Sequence, residues 1–526
     1  MHDWPKFKTS HLLGLIILIS LLVTTRFSVR PAVGFVLDDW AMLRDAIGQG
    51  STWDVFSNGL KSPTRPFGTG LQQTLFRLFL ERVALYEGMS IVCYSMALLL
   101  VYLIARELTG REGIAFAGSV LFAVLPNVCG HFHWICLTVS PGQLVYLLSA
   151  WLLVRHVRRA EKWSLGGAVF WYAVGLGTYE VGAFLPGAYA VLLWRRGWKK
   201  CLAALLPFGI ALGVYAAWRL TAGFGMLRDV GVAPQFNAGL SLYGVKHTAA
   251  DIVSWWAGLD WWRAVGDGAT GFSELPWPKA LALWVANVVL VILSGVWLWR
   301  TNKREEVEDD PNTQRDGFGD GTLAVFGVAW VAAAYVPVFL GYLAPRLNYL
   351  PGAGLAFLAA VGLGRMKMER WLGVVLTLVF AGMVVGEGDT KNWSDTIRFQ
   401  RNLYETMKER RAEWENAEVL WLDTRELSHR LTPGLLSDNR HHIDTVAEYR
   451  NTGLLRGFAP SAMARLILDG KPGPQVILDV EYGAREEDGV LKWHERYNPK
   501  ELRETPMNRV YRLNVFEAGL DKFSFR

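Results

Sequence analysis

Two carboxylates side by side open the chemical reading of this chain. Asp38 and Asp39 stand in "GFVLDDWAML", a few positions after the apolar run "LLGLIILISLLV". Ionisable groups at a membrane boundary are costly unless they face water, a partner or a site. A carboxylate in a cavity can act as general base for an incoming hydroxyl, and the pair can help to hold a divalent metal such as Mg or Mn. The same residues can instead cap the next helix with Asp and anchor it with Trp40. A third carboxylate, Glu180 in "GLGTYEVGAFLPG", lies between two apolar runs, where it needs a partner; Arg65 or a histidine can supply one. In "CGHFHWIC", His131 and His133 lie between Cys129 and Cys136. That set can ligand zinc, pair its thiols in an oxidising compartment, or form an ordinary loop lining an outer cavity.

The elements that must position these groups follow from composition. Of 526 residues, 52% are hydrophobic and 19% charged, with 24 Trp, which is a membrane protein's inventory. Apolar stretches of about 18 to 22 residues, the length that crosses a hydrocarbon core of ~30 Å, recur from Leu12 to about Glu387. Eleven candidate spans lie near 11–29, 88–108, 112–128, 136–155, 164–178, 180–194, 201–220, 279–299, 321–343, 347–364 and 370–387. The two between 164 and 194 are short and read as a tight or partly re-entrant hairpin. No A-x-A-like cleavage site follows the first span, so it reads as retained.

Lys and Arg set the orientation, because cytoplasmic loops retain them. With the N-terminus inside, the cytoplasmic connections "MHDWPKFKTS", "RELTGRE", "RHVRRAEK", "RRGWKK", "RTNKREEVEDD" and "RMKMER" each carry at least two basic residues. The short opposite-side connections "CGHFHW" and the turn after Thr178 carry none. The net charge of +6 therefore reads as membrane orientation, with no nucleic-acid partner. Loops 30–87 and 221–278 and the tail 389–526 fall outside the cytoplasm. The expected fold is a polytopic all-α membrane domain over 1–388, with about eleven transmembrane helices, followed by a small extracytoplasmic α/β domain over 389–526. Within that tail, "RFQRNLYETMKERRAEWENA" reads as a polar helix, "EVLWLD", "PQVILDVEYG" and "NRVYRLNVF" as strands, and "SAMARLILDG" as a helix. The Trp-rich "SWWAGLDWWRAV" reads as an interfacial amphipathic helix or as a surface for stacking on sugars.

The order "VLDDWAML", "WDVFSNGLKSPTRPFGTGLQQTLFRLF", "GLGTYEVGAFLPG" and, far downstream, "PRLNYLPGAGLAFL" resembles the type C (GT-C) glycosyltransferase superfamily, and within it the protein O-mannosyltransferase-like branch. The resemblance covers roughly residues 10 to 390. It implies a polytopic enzyme that takes a sugar from a polyprenyl phosphate, with the catalytic base in the acidic pair Asp38 and Asp39. It also matches the family's "RP" to Arg65 and Pro66, its "P…W" to Pro126 and Trp134, its glutamate to Glu180, and its "R-Y…L-P-S" to Arg346 through Pro351. The family's Lys before the glutamate is Tyr179 here, the acidic residue before its arginine is Pro345, and no tetratricopeptide repeats follow. A glycan, a lipid or a protein thus remains open as acceptor.

The residues themselves agree with a lipid-borne donor. There is no Walker loop and no G-x-G-x-x-G after a strand, and no cytoplasmic segment is large enough to bind a nucleotide sugar. A departing lipid phosphate needs cationic stabilisation. Arg346, in "APRLNYLP", presents a planar fork that matches phosphate, or it snorkels to headgroups. The expected activity is inverting transfer to an extracytoplasmic hydroxyl, with Asp38 as base, Asp39 as its partner, and Arg346 and Arg65 on the donor phosphate. Glu180, His131 and His133 are further cavity candidates. Two other classes stay open: a transporter or flippase of lipid-linked glycan intermediates, and a non-catalytic envelope scaffold.

Overall fold

Apolar runs of this length satisfy their backbone polar groups only as helices when lipid surrounds them, and the architecture follows from that. The computed structural model describes residues 9–26, 35, 38–48, 50–62, 65–125, 139–221, 249, 252, 261–305, 318–340, 348–423, 458–469, 471, 473–478, 484–495 and 498–514. The apolar helices are α1 (Thr9–Arg26), α5 (Val83–Thr109), α6 (Glu112–Val124), α7 (Val139–Arg159), α8 (Lys162–Thr178), α9 (Leu185–Trp194) and α10 (Trp198–Thr221). They continue, after α11 (Trp261–Glu274), with α12 (Trp277–Glu305), α13 (Asp320–Leu340), α14 (Tyr349–Leu363) and α15 (Met368–Glu409). Each of the eleven apolar segments read from the sequence falls on a helix. Five helices, α5, α10, α12, α13 and α15, contain stretches long and apolar enough to cross a membrane by length and composition, and four further apolar helices are shorter. One large core of Leu, Val, Ala and aromatic side chains runs through the bundle.

The segment between α1 and α5 folds into short helices α2 (Asp38–Gly48), α3 (Thr52–Leu60) and α4 (Pro66–Phe79). Local chemistry starts each one where it starts. Ser51 caps α3 by accepting from the Asp54 amide at 3.2 Å, and Asp54 returns the bond by accepting from the Ser51 amide at 2.8 Å. The Ser51 hydroxyl, which donates to Asp54 Oδ2 at 2.7 Å, and then the Ser51 amide hold the Asp54 carboxyl below its ordinary range. Pro66 stands at the first position of α4, where its missing N–H would have had no partner.

Helix α15 has 42 residues and is therefore roughly 60 Å long, far more than a bilayer core needs. Its apolar half, Glu369–Glu387, is the candidate span; its polar half continues without a break. That polar half meets α2: the Trp40 indole stacks on Tyr404 with centroids 4.9 Å apart, and its N–H donates to Gln400 Oε1 at 2.9 Å. Trp40 thus ties the helix that begins with the two carboxylates to the C-terminal region. A second core confirms the junction, joining Phe35, Trp40, Leu43, Phe76 and Tyr86 to Leu403, Trp414, Leu420 and Met463.

Beyond α15 and the single turn α16 (Arg411–Trp414), strand β1 (Val419–Asp423) lies between β2 (Gln475–Leu478) and β6 (Val510–Asn514), parallel to both. Every residue of β1 is buried, as expected of a central parallel strand covered on both faces. Helix α17 (Phe458–Ile467) precedes β2 and packs on α2 and α15. The helix and strand runs expected in the tail are found within a few residues. A second, antiparallel sheet, β3 (Arg485–Glu487), β4 (Val490–Glu495) and β5 (Asn498–Pro506), was not expected. Its first hairpin turns on Asp488 and Gly489, both at positive φ, the Asp-Gly signature of a two-residue turn.

Candidate functional site

Helix α8 stops at Thr178, and the chain turns through Tyr179 and a single 3-10 turn, Glu180–Gly182, before α9 begins. Two tyrosines fix this turn. Tyr146 Oη donates to the Tyr179 carbonyl at 2.9 Å, and Tyr172 Oη donates to the Ala183 carbonyl at 2.6 Å. Tyr146 can reach in because Gly175 and Gly182 lack side chains: a Cβ on either would stand 2.5 or 2.4 Å from its ring. The Gly182→Ala variant is therefore expected to force the ring away and to lose about 1–3 kcal/mol of stability by overpacking. Gly187→Ala, where a Cβ meets nothing within 4 Å, is the matched control. Thermal unfolding of both in detergent checks it; equal midpoints would show that the turn does not depend on Tyr146.

Glu180 receives both arms of Arg65, with Nε 2.7 Å from Oε2 and Nη2 3.0 Å from Oε1. This bidentate geometry is the strongest form of such a pair. Of the partners considered from the sequence, Arg65 is thus the one that meets Glu180, across 115 residues. Arg65 also lies over the Tyr179 ring, its Cζ 4.1 Å from the centroid. Where the resembling family carries Lys, this chain carries an aromatic face that attracts the guanidinium; a second cation would repel it.

A third member was not anticipated. Arg219, in the last turn of α10, places Nη1 3.9 Å from Glu180 Oε1, and its side chain is only 2% exposed. Its Nε and Nη2 are buried and make no hydrogen bond among the described residues. Two guanidiniums thus share one carboxylate in an apolar surrounding, and the cluster carries a net positive charge. A lone arginine ending an apolar run was the available signal, since such groups inside a membrane are functional by default.

The N-terminal end of α7 draws a second motif to the same place. A Cβ on Gly142 would meet the Tyr179 side chain at 2.8 Å, while Gln143 Nε2 donates to the Tyr349 carbonyl at 2.9 Å. The start of α14 is held further by Tyr335 Oη donating to Asn348 Oδ1 at 2.6 Å and by Trp330 Nε1 donating to the Leu350 carbonyl at 2.8 Å. Adjacent residues of α7 therefore join "TYEVG" to "NYLPG".

Asp38 and Asp39 form the first turn of α2. Asp39 is fully buried and shares the inward face with Trp40, Leu43 and Ala46. Arg346, His131, His133, Cys129, Cys136, Pro126 and Trp134 lie outside the described residues. Among the described residues, no group of three or more His, Cys, Asp or Glu is placed to hold a metal ion.

A polytopic helical protein with a buried, net cationic cluster at one end of its bundle is the class that fold and site define. Residues 63–218 match the family model described as dolichyl-phosphate-mannose-protein mannosyltransferase. The match covers less than a third of the chain; it contains Arg65 and Glu180 and ends one residue before Arg219. It agrees with a mannosyltransferase-like protein of the GT-C superfamily. No curated protein matches the chain at a significant level.

Proposed function

We propose that this protein is an integral-membrane glycosyltransferase that moves a sugar, mannose by the family match, from a polyprenyl-phosphate donor to an acceptor hydroxyl outside the cytoplasm. The observation that carries the reading is the buried Arg219 guanidinium beside the Arg65–Glu180 pair. Buried donors without acceptors are costly, and a phosphate anion supplies both the acceptor oxygens and the missing charge. Glu180 already occupies the Nε and Nη2 edge of Arg65, so Arg65 contributes its charge and its remaining N–H groups. Arg346, which lies outside the described residues, is the further phosphate-binding cation that the sequence offers.

In the reaction, the acceptor oxygen forms a bond to the anomeric carbon as the bond from that carbon to the phosphate oxygen breaks. The acceptor's proton passes to Asp38, and polyprenyl phosphate departs as an anion onto the arginines. Asp39 is the partner of the base. One displacement inverts the anomeric configuration. The topology that serves this chemistry has eleven spans, the N-terminus inside, and the 389–526 domain outside over the site.

The test is a transfer assay. Full-length protein in vesicles is given radiolabelled polyprenyl-phosphate mannose together with envelope acceptors. Label is expected to leave the lipid, and Arg219→Gln is expected to weaken donor use by about tenfold or more, as loss of a charged hydrogen bond does. Label that crosses the bilayer while still on the lipid would mark a transporter instead.

A further inference from the structure

At the opposite end of α7 lies a second cationic site. Arg155, Arg158 and Arg159 are 9 to 13 residues beyond Tyr146, which at 1.5 Å per residue is roughly 14–20 Å along the helix. There the C-terminal ends of α5 and α7 enclose a cavity of about 220 Å³ lined by Leu103, Arg106, Glu107, Gly110, Trp151, Arg155, Arg158 and Arg159. Its polar wall is a set of fixed arginines. Arg106 pairs with Glu112 at 2.9 Å, Arg155 with Glu161 at 3.0 Å, and Arg159 with Glu107 at 2.6 Å. Arg158 donates to the Glu107 carbonyl, and Arg196 to the carbonyls of His156 and Val157. These last two cover the exposed carbonyls of the helix ends, which would otherwise repel an anion. Five guanidiniums stand against three carboxylates, so the site stays positive.

Two buried donors in it have no acceptor among the described residues: Arg155 Nε, on a side chain 6% exposed, and Trp151 Nε1. The Arg155 guanidinium sits 5.1 Å from the Trp151 ring and 5.3 Å from Trp163, which keeps it in place. The location adds the second half of the chemistry. The cavity lies at the C-terminal end of a candidate membrane span, Val83–Thr109, the level at which a spanning helix meets lipid headgroups. Basic pockets between membrane helices select anionic headgroups.

We propose that this cavity binds the phosphate of an anionic membrane phospholipid, independently of the donor site at the far end of the bundle. The lipid phosphate accepts from Arg155 Nε and Trp151 Nε1, and its charge completes the arginine cluster.

The full-length protein is tested by native mass spectrometry after equilibration with phosphatidylglycerol or phosphatidylcholine, and by thermal unfolding with either lipid or with inorganic phosphate. Retention of phosphatidylglycerol over phosphatidylcholine by about tenfold is expected, the scale of one to two basic contacts. The double variant Arg155→Lys, Trp151→Phe keeps charge and shape but removes the two donors, and is expected to lose that preference. Equal retention of both lipids by the wild type would overturn the proposal, as would an unchanged preference in the folded variant. Stabilisation by inorganic phosphate with no lipid preference would assign the cavity to a free phosphate ion and remove the lipid from it. None of these measurements reads sugar transfer.

Discussion

Glu180→Gln unfolds well below the wild type, and adding Arg65→Gln to it recovers much of the loss. Removing one partner of a largely buried ion pair leaves the other charge uncompensated and costs about 3 kcal/mol or more. The cost is compounded here because Arg219 stands 3.9 Å from the same carboxylate, so glutamine leaves two guanidiniums facing each other. Removing Arg65 as well leaves one cation beside a neutral amide, a milder state. The two single losses therefore should not add, and a double-mutant cycle on thermal unfolding should return a coupling of about 1–3 kcal/mol. The side chains of Arg65 and Glu180 are 18% and 19% exposed, so water tempers the effect without erasing it. A coupling near zero would mean that solvent already screens the pair and that the cluster does not organise the α8–α9 turn. Arg219→Gln alone is expected to be mild or stabilising, because it removes the surplus charge. That sign separates a residue kept for binding an anion from one kept for the fold.

The sequence carried the parts of this structure that depend on local pattern. Apolar length marked the segments that form apolar helices among the described residues, and the cost of a carboxylate between apolar runs called for a partner to Glu180. The parallel strands β1, β2 and β6 were visible as short apolar runs between polar ones. What stayed hidden depends on contacts between distant residues. Nothing in "WRLT" shows that Arg219 points at Glu180 rather than at a lipid headgroup, because snorkelling and burial look alike in one dimension. The local sequence does not show that Tyr146 lies across both Gly175 and Gly182. Nothing local to "LDDW" shows that Trp40 stacks on Tyr404 and fastens α2 to α15, a contact spanning more than 360 residues. The β3–β4 hairpin was different in kind, since Asp488-Gly489 is a local signal that its charged flanks obscured.

The largest effect on activity is expected at the acidic pair. Asp38 and Asp39 are successive residues at the start of α2, and successive positions of a helix are set about 100° apart, so one role is expected for each. Asp39 is turned to the buried face with Trp40, Leu43 and Ala46, where α2 packs against α4 and α17. A fully buried carboxylate among such neighbours is positioned to organise the site and the docking of the C-terminal region. Asp38 is the base by the resemblance, which places the catalytic acid first in the pair. Asp38→Asn should therefore lower transfer by about 10²–10⁴-fold, the usual worth of a general base, while donor binding and unfolding temperature stay near wild type. Asp39→Asn should lose transfer too, but with a lower unfolding temperature, because it changes the hydrogen-bonding pattern of a fully buried side chain. Measuring lipid-donor binding, transfer and thermal unfolding on both isosteric variants distinguishes the roles. Transfer lost only in Asp39→Asn, with its fold intact, would exchange them. Wild-type transfer by both would remove the carboxylates from the chemistry and leave the cationic cluster at Arg219 to be explained by some other anion.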